Sequence, residues 1–474
     1  MTWPAVVALA LMFLGMLQRS PYFMLYLFFG FGPIATLSLL GDAGGANIVP
    51  QAACGVLLVC KLLLSKGQIP RAFDAAIDPA ALGFLFAFLL YGLFATYEMP
   101  RLFANMIEIV EMNPEYNATS LLHPAMANVN QSIYMTLSVG TALAFAMYGE
   151  RANFRQHYIQ ALWVAGVILI ATGLADMLLA AAGLESLLKP FRNATYSVLS
   201  DAEVLGMKRV VGLTPEASSY GTMCVGAAAY LVFLRPCYER KVLRNYLVPL
   251  TSLGLLGLAF LSTSSAAYVG LAVFSLVFAA NWMRRALSAD VPAREGLKWE
   301  ALIAVAAGLA ILAMLALVPS MLDPIYTMID QIVFKKSQTD SYIERTMWSR
   351  LALNAFFSTY GLGVGLGSVR TSNWFVAILS STGVIGAGFL GWFILRLFVL
   401  PCRSAEARVR ELAAGLKFSL LPSFAMAALV GTTPDMGVVS AAALGMLTSL
   451  ISINPAAKLR FRGNIGGHLR ARNN

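Results

Sequence analysis

Charge interrupts this chain so rarely that water cannot be its only solvent. Thirteen apolar stretches follow one another, at about 3–17, 21–40, 46–64, 79–97, 132–148, 158–183, 217–234, 246–262, 265–282, 300–319, 373–398, 414–431 and 436–453. Most approach the ~20 residues that a helix needs to cross ~30 Å of hydrocarbon. Lipid offers no partner to a backbone N–H or C=O, so each such stretch is expected to be helical. Charged residues make up 12% of the chain, where a soluble domain carries about 25%. The expectation is an all-α, polytopic membrane protein of about 12–13 transmembrane helices, one transmembrane domain over 1–474. The first stretch is marginal in length. Nothing basic precedes it and no small-residue cleavage site closes it, so it reads as retained rather than as a signal peptide.

A net charge of +10 would suggest nucleic acid in a soluble protein, but here the placement of Lys and Arg matters more than their sum. They gather in the tail (Lys458, Arg460, Arg462, Arg470, Arg472) and in three connections, around Arg235 to Arg244, Arg284 to Lys298 and Arg403 to Lys417. By the positive-inside rule these segments, including the basic tail 454–474, are cytoplasmic. Anionic membrane lipid then accounts for the basic excess, and no nucleic-acid partner is required. Three long loops are left outside: 98–131, 184–216 and 320–372. The last contains an amphipathic run, 324–336, suited to a membrane surface. Five cysteines, none in a long external loop, predict no disulfide. Three scattered histidines predict no metal and no haem.

Chemistry is sought where external charge lies beside a span end, since ionisable groups there are costly unless they snorkel or act. Three clusters qualify: Lys208, Arg209 and Glu216; Glu344, Arg345 and Arg350; and Arg370 with Ser372 and Asn373. Each reads equally well as solvated charge capping a helix. Glu216 follows Thr214 and Pro215 and fits a first-turn acid facing the helix dipole. Arg350 opens the apolar run LALNAFF, and a cation at a helix start asks for an anionic partner. Gly361, Gly363, Gly365 and Gly367 alternate, a pattern that fits either backbone N–H groups presented to phosphate or a tight re-entrant turn. Asp176 lies inside an apolar run, as a proton-relay residue or as a buried, hydrogen-bonded carboxylate. The N-x-T triplets at Asn117 and Asn193 fall in external loops.

Four stretches resemble the bacterial O-antigen polymerase, O-antigen ligase and exopolysaccharide polymerase superfamily of membrane glycosyltransferases. They are GLTPEASSYG at 212–221, LSTSSAAYVG at 261–270, Arg350 followed by ten residues and Gly361, and GVGLGSVRTSNWFVAILSSTGVIG at 363–386. They cover roughly the C-terminal half. The sequence departs from the ligase pattern at Ser372, where a histidine would precede Asn373. It departs again at Ser264, Ser265 and Ala266, where many members carry a Ser-Arg-Gly turn; Lys208, Arg209 or Arg370 is left to replace that arginine.

The resemblance implies a glycosyltransferase C-type fold with a large external loop, and an inverting polymerase of polyprenyl-diphosphate-linked oligosaccharide repeat units. The implied place is the outer face of a bacterial inner membrane. It implies no cofactor and no metal, with Arg350, Arg345, Arg209 and Arg370 on the diphosphate and Glu216 as the catalytic acceptor of the hydroxyl proton. Gly361, Gly365, Ser372 and Asn373 would line the substrate loop. A chain-length regulator or flippase of the same pathway is the implied protein partner. A ligase-type transferase, or a transporter or flippase of lipid-linked sugars, remains the alternative.

Overall fold

The structure, a computed structural model, describes residues 1–40, 47–112, 119–194, 203–204, 207–302, 305, 309 and 340–452. Where the sequence is apolar the chain is helical. The N-terminal part holds α1 (Trp3–Leu17), α2 (Tyr22–Gly30), α3 (Pro50–Leu63), α4 (Gln68–Ile77) and α5 (Gly83–Leu102). A short hairpin, β1 (Glu108–Val110) against β2 (Thr119–Leu121), precedes α6 (Met126–Tyr148) and α7 (Ala152–Ala181). A 3-10 turn, Glu185–Phe191, and a second hairpin, β3 (Glu203–Val204) with β4 (Met207–Lys208), lead to α8 (Ala217–Phe233). Then come α9 (Val248–Leu261), α10 (Ser265–Leu287), α11 (Asp340–Ser358), α12 (Trp374–Val399), α13 (Ala407–Val430) and α14 (Val438–Ser452).

Helix starts follow local chemistry. Proline stands in the first turn of α1 and α3, where its missing N–H would have no partner in any case. Ser264 and Asn373 accept first-turn N–H groups of α10 and α12. Lys61 reaches back to cap α1, donating to the carbonyls of Gly15 at 2.8 Å and of Gln18. Small residues let α14 approach its neighbours closely, with Ala441, Ala442 and Ala443 fully buried.

Among the described residues, six helices are long and apolar enough to cross a membrane: α5, α7, α9 with its preceding π turn, α10, α12 and α13. The α3 and α4 pair, bent by 113°, makes a seventh if it is one broken span. Among the described residues this polytopic, largely α-helical membrane protein thus shows fewer qualifying helices than the twelve or thirteen expected, with α1, α8 and α14 apolar but shorter. One expected span that is not a single helix lies at 21–40. There α2 ends at Gly30, and the chain continues without helix through Pro33 to pair Ile34 with Leu213 and bond Thr36 N–H to the Leu213 carbonyl at 3.1 Å. That segment is apolar because it is buried in protein, where irregular backbone is tolerated. Most of the stretch 300–319, the amphipathic run 324–336, Asn117 and the tail lie outside the described residues.

At the end of the bundle that the positive-inside rule makes cytoplasmic, the basic residues are largely engaged with acids. Arg284 grips Glu411 with two bonds of 3.0 and 2.7 Å, Arg410 holds Asp290 at 2.6 Å, and Arg235 and Arg285 share Glu300.

Candidate functional site

At the other end, a buried carboxylate organises the entry to α8. Asp176, near the end of α7 and 1% exposed, accepts the N–H groups of Val211 and Gly212 at 2.9 and 3.0 Å and the Arg192 guanidinium at 2.8 Å. Arg192 also donates to the Gly212 carbonyl at 2.7 Å, and Lys208 bridges Asp176 to Glu185. Both Asp176 oxygens are therefore occupied by bonds that hold the 208–212 segment. Of its two readings, this geometry is that of a structural, hydrogen-bonded carboxylate. Asn193 is likewise engaged, exchanging two bonds of 2.8 and 2.9 Å with the Ser38 backbone.

The segment so held presents Arg209. Its guanidinium lies on the turn between α9 and α10, with Nε donating to the Ser262 carbonyl (3.2 Å) and Thr263 Oγ1 (2.9 Å) and Nη2 to the Thr263 carbonyl (3.1 Å). Thr263 has φ 48°, a left-handed conformation that a β-branched residue adopts only at a cost of ~1–3 kcal/mol. Arg209 thus docks on the very turn where the sequence has Ser264, Ser265 and Ala266 in place of Ser-Arg-Gly. Burial pulls its pKa below the ordinary arginine range. Glu216 and Tyr268 oppose that pull, and the nearby Arg345 adds to it.

Glu216 is the N-cap of α8, in extended backbone, but its side chain does not cap the helix. It nevertheless stands at the N-terminus of α8, where the helix dipole favours a negative charge, and the half-buried carboxylate lies within the field of Arg209. Arg345, on α11, acts on Arg370 as well as on Arg209. The Arg370 pKa is lowered by burial, with Glu344 opposing and Arg345 adding. The Arg370 guanidinium stacks on the Trp348 ring at 3.9 Å. That indole is 7% exposed, and its N–H has no partner among the described residues.

Arg350 stands apart. The sequence placed it at a helix start, but it lies well inside α11, so the dipole argument for an anionic partner does not apply. At 3.6 residues per turn it points about 140° from Arg345 and about 160° from Trp348, and it is exposed.

The glycines serve packing. Gly361, Gly363, Gly365 and Gly367 all have φ between 76° and 87°, and the segment threads between α5, α6 and a break in α12 at Gly383. A Cβ on Gly365 would sit 2.8 Å from the Thr96 Cα, and one on Gly363 2.7 Å from the Gly383 N. The N–H groups of the segment are engaged within the protein from Gly361, on the Phe356 carbonyl, through Gly363 on Thr359 Oγ1, Val364 on the Ser380 carbonyl and Gly365 on the Ser381 carbonyl to Leu366 on Thr96 Oγ1. Of the two readings of the alternating glycines, this is the tight turn, with these amides bonded inside the protein. Ser372 donates to the Leu429 carbonyl, and Asn373 caps α12. Both support the loop that carries Arg370.

No known protein family and no curated protein matches this sequence. The chemistry must therefore be argued from the site. Arg345 comes within the field of both Arg209 and Arg370, with Glu216 opposing at Arg209 and Glu344 at Arg370. The Thr263 turn and Trp348 escaped the sequence reading. Trp348 is foreshadowed only by standing three positions after Arg345, one helical turn along the same face.

Proposed function

We propose that this protein is a polymerase of polyprenyl-diphosphate-linked oligosaccharide repeat units, an inverting glycosyltransferase at the outer face of a bacterial inner membrane. The observation that carries the reading is that Arg345 lies within the field of both Arg209, which faces the half-buried Glu216, and Arg370, which faces Glu344. Like charges brought together in a partly dry site repel, and a diphosphate offsets that repulsion with planar, two-point contacts. The Trp348 N–H, beside Arg370 and without a partner among the described residues, adds a donor.

In this mechanism an acceptor sugar hydroxyl attacks the anomeric carbon of the donor repeat unit. The bond from that carbon to the diphosphate oxygen breaks, and polyprenyl diphosphate leaves with the charge carried on Arg209, Arg345 and Arg370. The hydroxyl proton passes to Glu216. Arg350, on the exposed side of α11, takes no part. A transporter reading loses its proposed relay, because Asp176 is committed to the 208–212 segment.

The test is a deletion strain complemented at matched membrane levels. Deletion should abolish surface polymer and accumulate single lipid-linked repeat units, and neither Arg345→Ala nor Glu216→Gln should restore polymer. A deletion strain with normal polymer and no accumulated intermediate refutes the reading.

A further inference from the structure

At the opposite end of α9 and α10 from the arginine cluster, a cavity of about 840 Å³ opens as a groove between the two helices. Its walls are Leu253 and Leu256 of α9 and Phe274 and Phe278 of α10, with Val232 of α8 beneath. From Asn245 to Leu256 the lining runs about 16 Å along the helix axis, close to the ~15 Å of one leaflet's hydrocarbon. Charge is confined to one end. There the lining Arg244 contacts the Glu295 carboxylate, while the lining Arg235 and the buried Arg285 behind it share Glu300, so the cluster holds three guanidinium groups against two carboxylates. The Arg244 Nε–H is buried and has no partner among the described residues. Tyr246 and Trp299 stand exposed at the same level, 71% and 66%, as aromatic side chains do at a membrane interface.

We propose that this groove binds an anionic phospholipid of the leaflet next to the basic segments, its phosphate on Arg244 and one acyl chain along Leu253, Leu256, Phe274 and Phe278. The apolar wall as long as a leaflet, with all charge at its interfacial end, matches the polarity of a lipid and not that of a soluble anion or a peptide. The excess guanidinium selects a negative headgroup. The inference is independent of the glycosyl-transfer reading, since it uses the other end of α9 and α10.

The experiment titrates the full chain, purified in detergent and delipidated, with dioleoyl phosphatidylglycerol or dioleoyl phosphatidylcholine. Native mass spectrometry reads the bound lipid. The wild type should bind phosphatidylglycerol about tenfold or more tightly than phosphatidylcholine. Arg244→Ala should erase that preference, and Arg244→Lys should retain part of it. Ser275→Trp places an indole in the groove from its exposed wall, and should remove tight binding of both lipids while leaving the thermal unfolding midpoint unchanged in lipid-free detergent. Equal binding of the two lipids by the wild type, or undiminished phosphatidylglycerol binding in Ser275→Trp, overturns the proposal. Competition by glycerol 3-phosphate at the same concentration would identify a soluble-anion site and overturn the lipid assignment.

Discussion

Replacing Arg209 by lysine keeps the charge and removes the planar fork, which makes it a sharp test of how the arginine cluster is held. The guanidinium donates three bonds to the Ser262 and Thr263 turn, two from Nε and one from Nη2. An ammonium on a flexible stem can reach one or two of those acceptors but cannot also present a flat edge to a ligand. A hydrogen bond from a charged donor contributes about 1.5–3 kcal/mol. Loss of one to two of them, moderated by partial exposure, costs about 2–3 kcal/mol of positioning, or roughly 30- to 150-fold in rate. The assay is polymer yield and accumulated lipid-linked repeat units at matched membrane levels. Thr263→Gly is the companion variant, because it relieves the φ of 48° while deleting the Oγ1 acceptor. Relief of ~1–3 kcal/mol of backbone strain and loss of one charged hydrogen bond roughly cancel, so thermal stability should move little while turnover falls. Full activity in both Arg209→Lys and Thr263→Gly would refute the idea that the turn aims Arg209.

Three further outcomes are expected. Arg350→Ala should give polymer within about twofold of wild type, since substitutions on an exposed helix face change stability by roughly 0.5 kcal/mol or less; loss of polymer would return Arg350 to the site. Asp176→Asn removes the charge from a buried carboxylate that accepts two N–H groups and the Arg192 guanidinium. It should destabilise by about 3 kcal/mol and expose the 203–212 segment to protease in detergent, and an unchanged digestion pattern would show that the segment is held by other contacts. Asp435 lies between α13 and α14, and burial pushes its pKa up to about 6 against the Ser138 hydroxyl and the N–H groups of Gly437 and Met436. A folded pKa above the ordinary value means that the stability it contributes is fully present below pH ~4 and is lost as pH rises through about 6. The unfolding midpoint should therefore fall between pH 4.5 and 7 in the wild type and fall less in Asp435→Asn.

How much of this was legible in the sequence depended on what each residue's neighbours had to do. Hydropathy located the helices, because a segment without water must close its own hydrogen bonds. It joined helix and irregular chain into one expected span where apolarity came from burial in protein, as at 31–40. Arg209, Glu216, Arg345 and Arg370 could be singled out because external charge beside a span end is costly. Arg350 met the same rule, but the helix start that its dipole argument needed lies elsewhere. The glycines at 361–367 signalled close backbone approach correctly. What approaches is α5, α6 and the break in α12, and no pattern in the chain states that. The Thr263 turn left no trace, since a threonine with positive φ looks like any other threonine until the fold is known.

The threading of 361–367 between α5 and α6 also sets the order in which the molecule can be made. A ribosome releases α5 and α6 into the bilayer more than two hundred residues before Gly365 exists, yet Gly365 must lie against Thr96 and Gly367 against Ala127 with no room for a side chain. Those two helices must therefore stay parted, or reopen, until the late segment arrives. Arg370, three residues beyond Gly367, comes to Arg345 only with that segment. The proposed site is consequently completed late in synthesis, and a chain truncated before Arg370 would carry Arg209, Glu216 and Arg345 without the last of its cations.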